Sequence, residues 1–142
     1  MKYHEGARRL QDRFDSRRLA DALNERFSRT AFTEEDKAFI ESRTLFFLAT
    51  ADASGQPDCS YKGGVAGFVR VTGPAEISFP SYDGNGMFRS LGNVLVNPRV
   101  GLLFIDFEKP HRLRVNGSAT IVDDVSAFEG AQLVIRVAAE TI

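Results

Sequence analysis

The residues best placed for chemistry lie in FPSYDGNGMFRSLGN, residues 79–93. An apolar segment, AEISF (75–79), runs into a polar, glycine-containing loop, and the loop delivers Met87–Phe88–Arg89–Ser90 as the first turn of a helix that ends before Pro98. A loop feeding a helix N-terminus leaves several backbone N–H groups without intrahelical partners, all aimed at one place. With the helix dipole behind them they suit a phosphate or another anion. Arg89 adds a bidentate fork and Ser90 a hydroxyl. The loop residues Asp83, Gly84, Asn85 and Gly86 can adopt positive φ and let backbone approach an anion closely. The same pattern also fits a plain strand-to-helix turn with Arg89 solvated, and this stretch alone leaves both readings open.

The rest of the chain excludes the classes with strong motifs. Its 142 residues fit one domain with a real core. A formal net charge of −1 argues against a general nucleic-acid or membrane-surface binder. The one cysteine, Cys59, permits no intrachain disulfide and no cysteine-built metal site. It has no histidine beside it to form a nucleophile–base pair and reads as a small barrel residue rather than a nucleophile. His4 and His111 have no metal-ligand spacing, and no P-loop, H-E-x-x-H or G-x-S-x-G pattern occurs. The charged N-terminus lacks the apolar core of a signal peptide, and no apolar run reaches membrane-spanning length. The expected setting is cytoplasmic.

Several elements must position the loop. Residues 3–28 read as helical, with Leu10, Phe14, Leu19, Leu23 and Phe27 able to share an apolar face and Ser16 restarting the helix as an N-cap. Their arginines alternate with acids, the pattern of a solvated surface. Thr33 caps a second helix, TEEDKAFIESR, with Phe39 and Ile40 facing inward. From Thr44 the periodicity changes to strands: TLFFLATA, CSYKGG, GFVRVTG, AEISF, RVGLLFIDF, HRLRVNGSATIVDD and AQLVIRVAAETI, with a short helical turn near SAFEG. In GFVRVTG, Phe68, Arg70 and Thr72 alternate with Val69 and Val71. Short turns between consecutive strands imply a mainly β fold: an antiparallel barrel of about six strands, with helices in front and one short helix between strands. The chain stops inside a strand pattern, so that its end is paired in the sheet or the chain is part of a longer one.

This order of elements, with GQPDCSYKGG (55–64), SYDGNGMFRSLGN (81–93) and NPRVGLLF (97–104), resembles the pyridoxamine 5'-phosphate oxidase-like FMN-binding split-barrel family over residues 44–123. The form of the central loop is similar to an uncharacterised oxidase-related branch. The resemblance implies a homodimer of split barrels, residues 1–43 being a helical extension packed on the barrel, with FMN between the two subunits. Carried over by position, it places Ser60, Tyr61, Lys62 and Gly63 on the flavin and ribityl phosphate, and Phe79 and Pro80 against the ring. It puts Asn85 in the phosphate loop, Arg89 and Ser90 at the phosphate, and Arg112 where a glutamine of the family reaches the ring, commonly across the dimer. Two departures remove positive charge: Ser60 stands for an arginine and Ser90 for a lysine. Lys62 is then the second cation that a near-dianionic phosphate needs beside Arg89.

The resemblance implies an FMN-dependent oxidoreductase of a small molecule in which the flavin carries the chemistry and no side chain must act as acid or base. A true pyridoxamine phosphate oxidase is disfavoured. The lysine ending the family's first flavin strand is Val65 here, and the family's C-terminal Arg-x-His segment is absent from these residues. The alternatives are a deazaflavin reductase, a haem-binding member relying on His4 or His111, and a non-enzymatic flavin-binding or dimeric interaction module.

Overall fold

The computed structural model describes residues 2–82 and 84–142; Asp83, assigned above to the phosphate loop, lies outside the described residues. Three helices come first: α1 (Glu5–Arg13), α2 (Arg17–Phe27) and α3 (Glu34–Ser42). Seven strands follow, β1 (Leu45–Ala51), β2 (Pro57–Gly63), β3 (Arg70–Gly73), β4 (Glu76–Tyr82), β5 (Arg99–Asp106), β6 (His111–Val122) and β7 (Ala131–Thr141), with α4 (Arg89–Val96) between β4 and β5. Among the described residues no helix is long and apolar enough to cross a membrane.

All strand pairs are antiparallel and form one curled sheet in the order β2-β1-β5-β6-β7-β4-β3. Alternation decides the inside. Phe46 and Leu48 of β1, Leu102 and Phe104 of β5, Val115 of β6, Val137 of β7 and Ile77 and Phe79 of β4 are all essentially inaccessible. They close over Leu91 and Val94 of α4 and over Phe39 and Ile40 of α3. The expected capping box is formed: Asp36 N–H donates to Thr33 Oγ1 at 3.1 Å, and Thr33 N–H donates to Asp36 Oδ2 at 2.9 Å. The last strand is paired on both sides, to β4 and β6, as the apolar pattern of its sequence implies.

Two expectations need correction. Phe68 and Val69 are both buried in a turn, so β3 starts only at Arg70; burial on both sides of the chain mimics strand patterning there. Second, SAFEG forms turns, Phe128 N–H donating to the Val125 carbonyl, rather than a helical turn. Helix restarts at Ser16 as expected: Asp15 is at φ 50° and Ser16 occupies the N-cap position of α2, although without a side-chain capping bond. The apolar side chains on these two helices, Leu10, Phe14, Leu19, Leu23 and Phe27, are exposed in this single chain. Arg13 lies over the Phe14 ring and Arg26 over Phe27, each with its guanidinium carbon about 5 Å from the ring centre (5.4 and 5.0 Å).

The β6–β7 ladder shifts register between Asn116 and Gly117. A Cβ on Gly117 would run into the carbonyl of Ala138, which is backbone and cannot turn aside. Gly117→Ala is therefore expected to cost about 1–3 kcal/mol through overpacking, seen as a lower urea midpoint. An unchanged midpoint would show that the ladder absorbs a methyl group there.

Candidate functional site at the barrel seam

The curled sheet does not close. β2 is one edge, and β3 reaches only as far as Ser78 along β4, so that Phe79–Tyr82 of β4 has no strand on that side. The position suits Pro80, which has no N–H to give to a ladder. Tyr61–Gly63 of β2 and Phe79–Tyr82 of β4 line a common cavity of about 170 Å³, floored by Phe68, Leu91 and Ile135. A second cleft of about 400 Å³ adjoins it and shares Tyr61, Lys62, Ser81, Tyr82 and Leu91. The loop Gly84–Phe88, the start of α4 and Asp58–Lys62 of β2 enclose this second cleft.

The loop reaches α4 by a different path from the one expected. Helix begins at Arg89, and Phe88, as N-cap, sits in the left-handed region at φ 48°. Gly86 is at φ +73°, whereas Gly84 needs no such conformation. Asn85 turns inward on its own loop, its Oδ1 accepting from Met87 N–H at 3.0 Å. Among the described residues no side chain caps α4, so that its first N–H groups have no side-chain acceptor among them, as an anion site requires.

β2 supplies the opposite wall. Asp58, Ser60 and Lys62 alternate onto the face that also carries Thr50, Leu48 and Phe46 of β1, whereas Cys59, Tyr61 and Gly63 face outward. Ser60 Oγ and Ser90 Oγ are 2.9 Å apart, joining β2 to the first turn of α4. Ser90 is buried, whereas the Arg89 side chain is 72% exposed and reaches Asp58 only as a 3.9 Å ion pair. Partial burial lowers the pKa of the Lys62 ammonium from its usual value, against an opposing attraction from Asp58. The Tyr61 ring lies over Gly63, where a Cβ would have no room. Cys59 is exposed on the outer face and is not packed inside the barrel.

Nine of the ten residues predicted for the site therefore line the two joined cavities: Ser60, Tyr61, Lys62, Gly63, Phe79, Pro80, Asn85, Arg89 and Ser90. Arg112 does not. It lies with His111 in a separate groove, roofed by Leu23 and Phe27 of α2. Neither histidine lines the cleft: His4 Nδ1 accepts from Ala7 N–H at 3.3 Å, and the His111 ring stacks on Phe39 with centroids 3.9 Å apart. Asp58 is the residue that sequence reasoning missed. Its place two residues before Ser60 and four before Lys62 was the available signal once β2 is seen to start at Pro57. Among the described residues no group of three or more histidine, cysteine or acidic side chains could hold a metal ion.

The donor set fits a flavin phosphate. One guanidinium, two hydroxyls and the start of α4 line the larger cleft, the Lys62 ammonium lines both cavities, and Phe79 and Pro80 add apolar surface in the smaller one. The volume is within the range of ordinary cofactor sites, about 300–1,000 Å³.

No curated protein matches the chain. A putative pyridoxamine 5'-phosphate oxidase from Lactobacillus delbrueckii is similar in structure, with 21% identity, a TM-score of 0.63, and coverage of 80% of this chain and 93% of that one. HutZ, a haem storage protein from Vibrio cholerae, is 20% identical with a TM-score of 0.52, over 75% of this chain and 87% of its own. An FAD-binding protein from Mesorhizobium loti is 14% identical with a TM-score of 0.52, over 80% and 93%. At these identities the likeness concerns the fold. The family model described as pyridoxamine 5'-phosphate oxidase matches residues 32–140, which runs from just before α3 almost to the end of β7. On that match, over most of its length, the chain belongs to the pyridoxamine 5'-phosphate oxidase family of split barrels.

Proposed function

We propose that this protein binds FMN in the seam of the barrel and acts, as a cytoplasmic homodimer, as a flavin-dependent oxidoreductase of a small molecule. The observation that carries the reading is the convergence of Arg89, Ser60, Ser90 and Lys62 with the uncapped start of α4 on one cleft, next to an apolar slot at the unpaired end of β4. Bound flavin supplies hydride or electron transfer, and the protein supplies placement and electrostatics. Arg89 and the α4 N–H groups bind the phosphate, Ser60 and Ser90 fix its position, and the unpaired edges of β2 and β4 offer backbone donors to the ring. Lys62, with its pKa lowered by burial, is the cation nearest the passage between the two cavities.

The homodimer has support from the outer face of the sheet. Tyr61, Phe47 and Leu103 lie side by side across β2, β1 and β5, with Cys59, Ala49 and Gly101 as the next row. This is a flat band of apolar and small residues, next to the mouth of the cleft through Tyr61. Arg112, distant from the cleft of its own chain, serves the flavin only from a partner subunit.

The test is the visible spectrum of the purified protein, before and after adding FMN and desalting. The two-banded absorption of oxidised flavin, retained by the protein and bleached by a nicotinamide donor, is the expected result. Retention without bleaching by any donor supports a flavin-binding module instead. A colourless protein that loses all added FMN overturns the assignment.

A further inference from the structure

Among the described residues that line the cleft, Asp58 is the only acid, and it stands where the proposed phosphate would make its contacts. Its Oδ1 faces Arg89 Nη2 at 3.9 Å, and its Oδ2 accepts from Ser90 Oγ at 3.4 Å. Ser90 Oγ is in turn 2.9 Å from Ser60 Oγ. Asp58 thus engages the same guanidinium and hydroxyl that would bind the phosphate. Both contacts are long and therefore weak, which leaves the guanidinium and the hydroxyl able to take another acceptor. The Asp58 side chain is 22% exposed and Arg89 72%, so the arginine is free to swing while the carboxylate is held by β2.

We propose that Asp58 is an internal competitor for the phosphate: a bound phosphate must take Arg89 and Ser90 from it and then tolerate its charge alongside. The inference rests on the phosphate placement proposed above and sharpens it. Among the described lining residues, Arg89 and Lys62 against Asp58 leave one positive unit of fixed charge, less than a phosphomonoester dianion calls for. Like charges a few ångströms apart in a partly buried cleft repel appreciably. The consequence is selective: Asp58 weakens any ligand through its phosphate and leaves the ring alone. FMN bound here exchanges with the solution instead of staying as a permanent group.

The test compares the intact protein with Asp58→Asn, which keeps the side-chain shape and an acceptor for Ser90. FMN, riboflavin and inorganic phosphate are titrated into each, flavins by fluorescence quenching and phosphate by the amide shifts of Arg89 and Ser90. Asp58→Asn should bind FMN about tenfold more tightly, equal to about 1.4 kcal/mol, mainly through slower release. Riboflavin affinity should stay unchanged, and inorganic phosphate should tighten along with FMN. Unchanged or weaker FMN and phosphate binding, or an equal gain for riboflavin, would overturn the proposal and leave Asp58 as a clip between β2 and α4. If neither protein binds either flavin, the flavin assignment fails, and the phosphate titration still judges Asp58: no phosphate binding, or none that tightens, rejects it. Asp58→Ser carries the same expectations should the asparagine variant not fold.

Discussion

Replacing Phe46 by alanine is expected to remove about 3–5 kcal/mol of stability, the usual cost of emptying a large aromatic site in a packed core. Phe46 is fully inaccessible, and its ring contacts Phe79 at 4.9 Å, Phe104 at 5.2 Å and Phe68 at 6.0 Å between centroids. These partners come from β4, β5 and the turn before β3, so the ring joins the two sides of the barrel on either side of the seam. A cavity there cannot be filled by one neighbour moving, because each is held by a different element, two strands and a turn. Against a total stability of about 5–15 kcal/mol, such a loss is severe. Equilibrium urea unfolding should show a much lower midpoint at an unchanged slope. Phe46→Leu, which keeps most of the volume, should recover more than half of the loss. A deficit below about 1 kcal/mol for the alanine variant would mean that the core collapses around the missing ring. Since Phe68 and Phe79 also line the smaller seam cavity and Phe46 pairs with Lys62 across β1 and β2, the variant should also loosen ligand binding.

The second large effect concerns Arg89. Its side chain is exposed and its ion pair with Asp58 is long, so Arg89→Ala should leave the urea midpoint almost unchanged. FMN affinity should nevertheless fall by about 1.5–3 kcal/mol, the worth of a charge-assisted hydrogen bond, or one to two orders of magnitude in Kd. Riboflavin, which lacks the phosphate, is the control and should bind both proteins equally. An FMN affinity that does not change would place the phosphate elsewhere. A loss shared equally by riboflavin would assign Arg89 to the ring.

Much of this was legible in the sequence because local rules and tertiary needs agree. Thr33 and Asp36 declare a capping box by their spacing alone, and Leu113 and Val115 alternate with Arg112, Arg114 and Asn116 as a half-buried strand must. The loop and Arg89–Ser90 could be read as an anion site because a helix start and its donors are contiguous in the chain. The failures share a physical cause. Periodicity shows that Leu10, Phe14, Leu19, Leu23 and Phe27 form a face, but not what covers it, and the chain's own barrel does not. Phe68 and Val69 are buried from opposite sides, so alternation mistook a turn for a strand. Asp58 was hidden because DASGQPD reads as turn chemistry up to its last residue, whereas β2 already begins at Pro57. Its importance comes from Ser90 and Arg89, about thirty residues away, and no local pattern carries that pairing.

The unpaired edges of β2 and β4 also bear on how the protein would behave with and without its cofactor. Exposed strand edges are the standard route to unwanted association between sheets. A ligand wedged into the seam satisfies those edges in the folded chain and has nothing comparable to hold in the unfolded one. Its occupancy would therefore add to stability by mass action, about 2.7 kcal/mol at a hundredfold excess over Kd, and raise the melting temperature with it. Cofactor supply during expression would then decide the yield of dispersed protein, and colour and thermal resistance would rise and fall together.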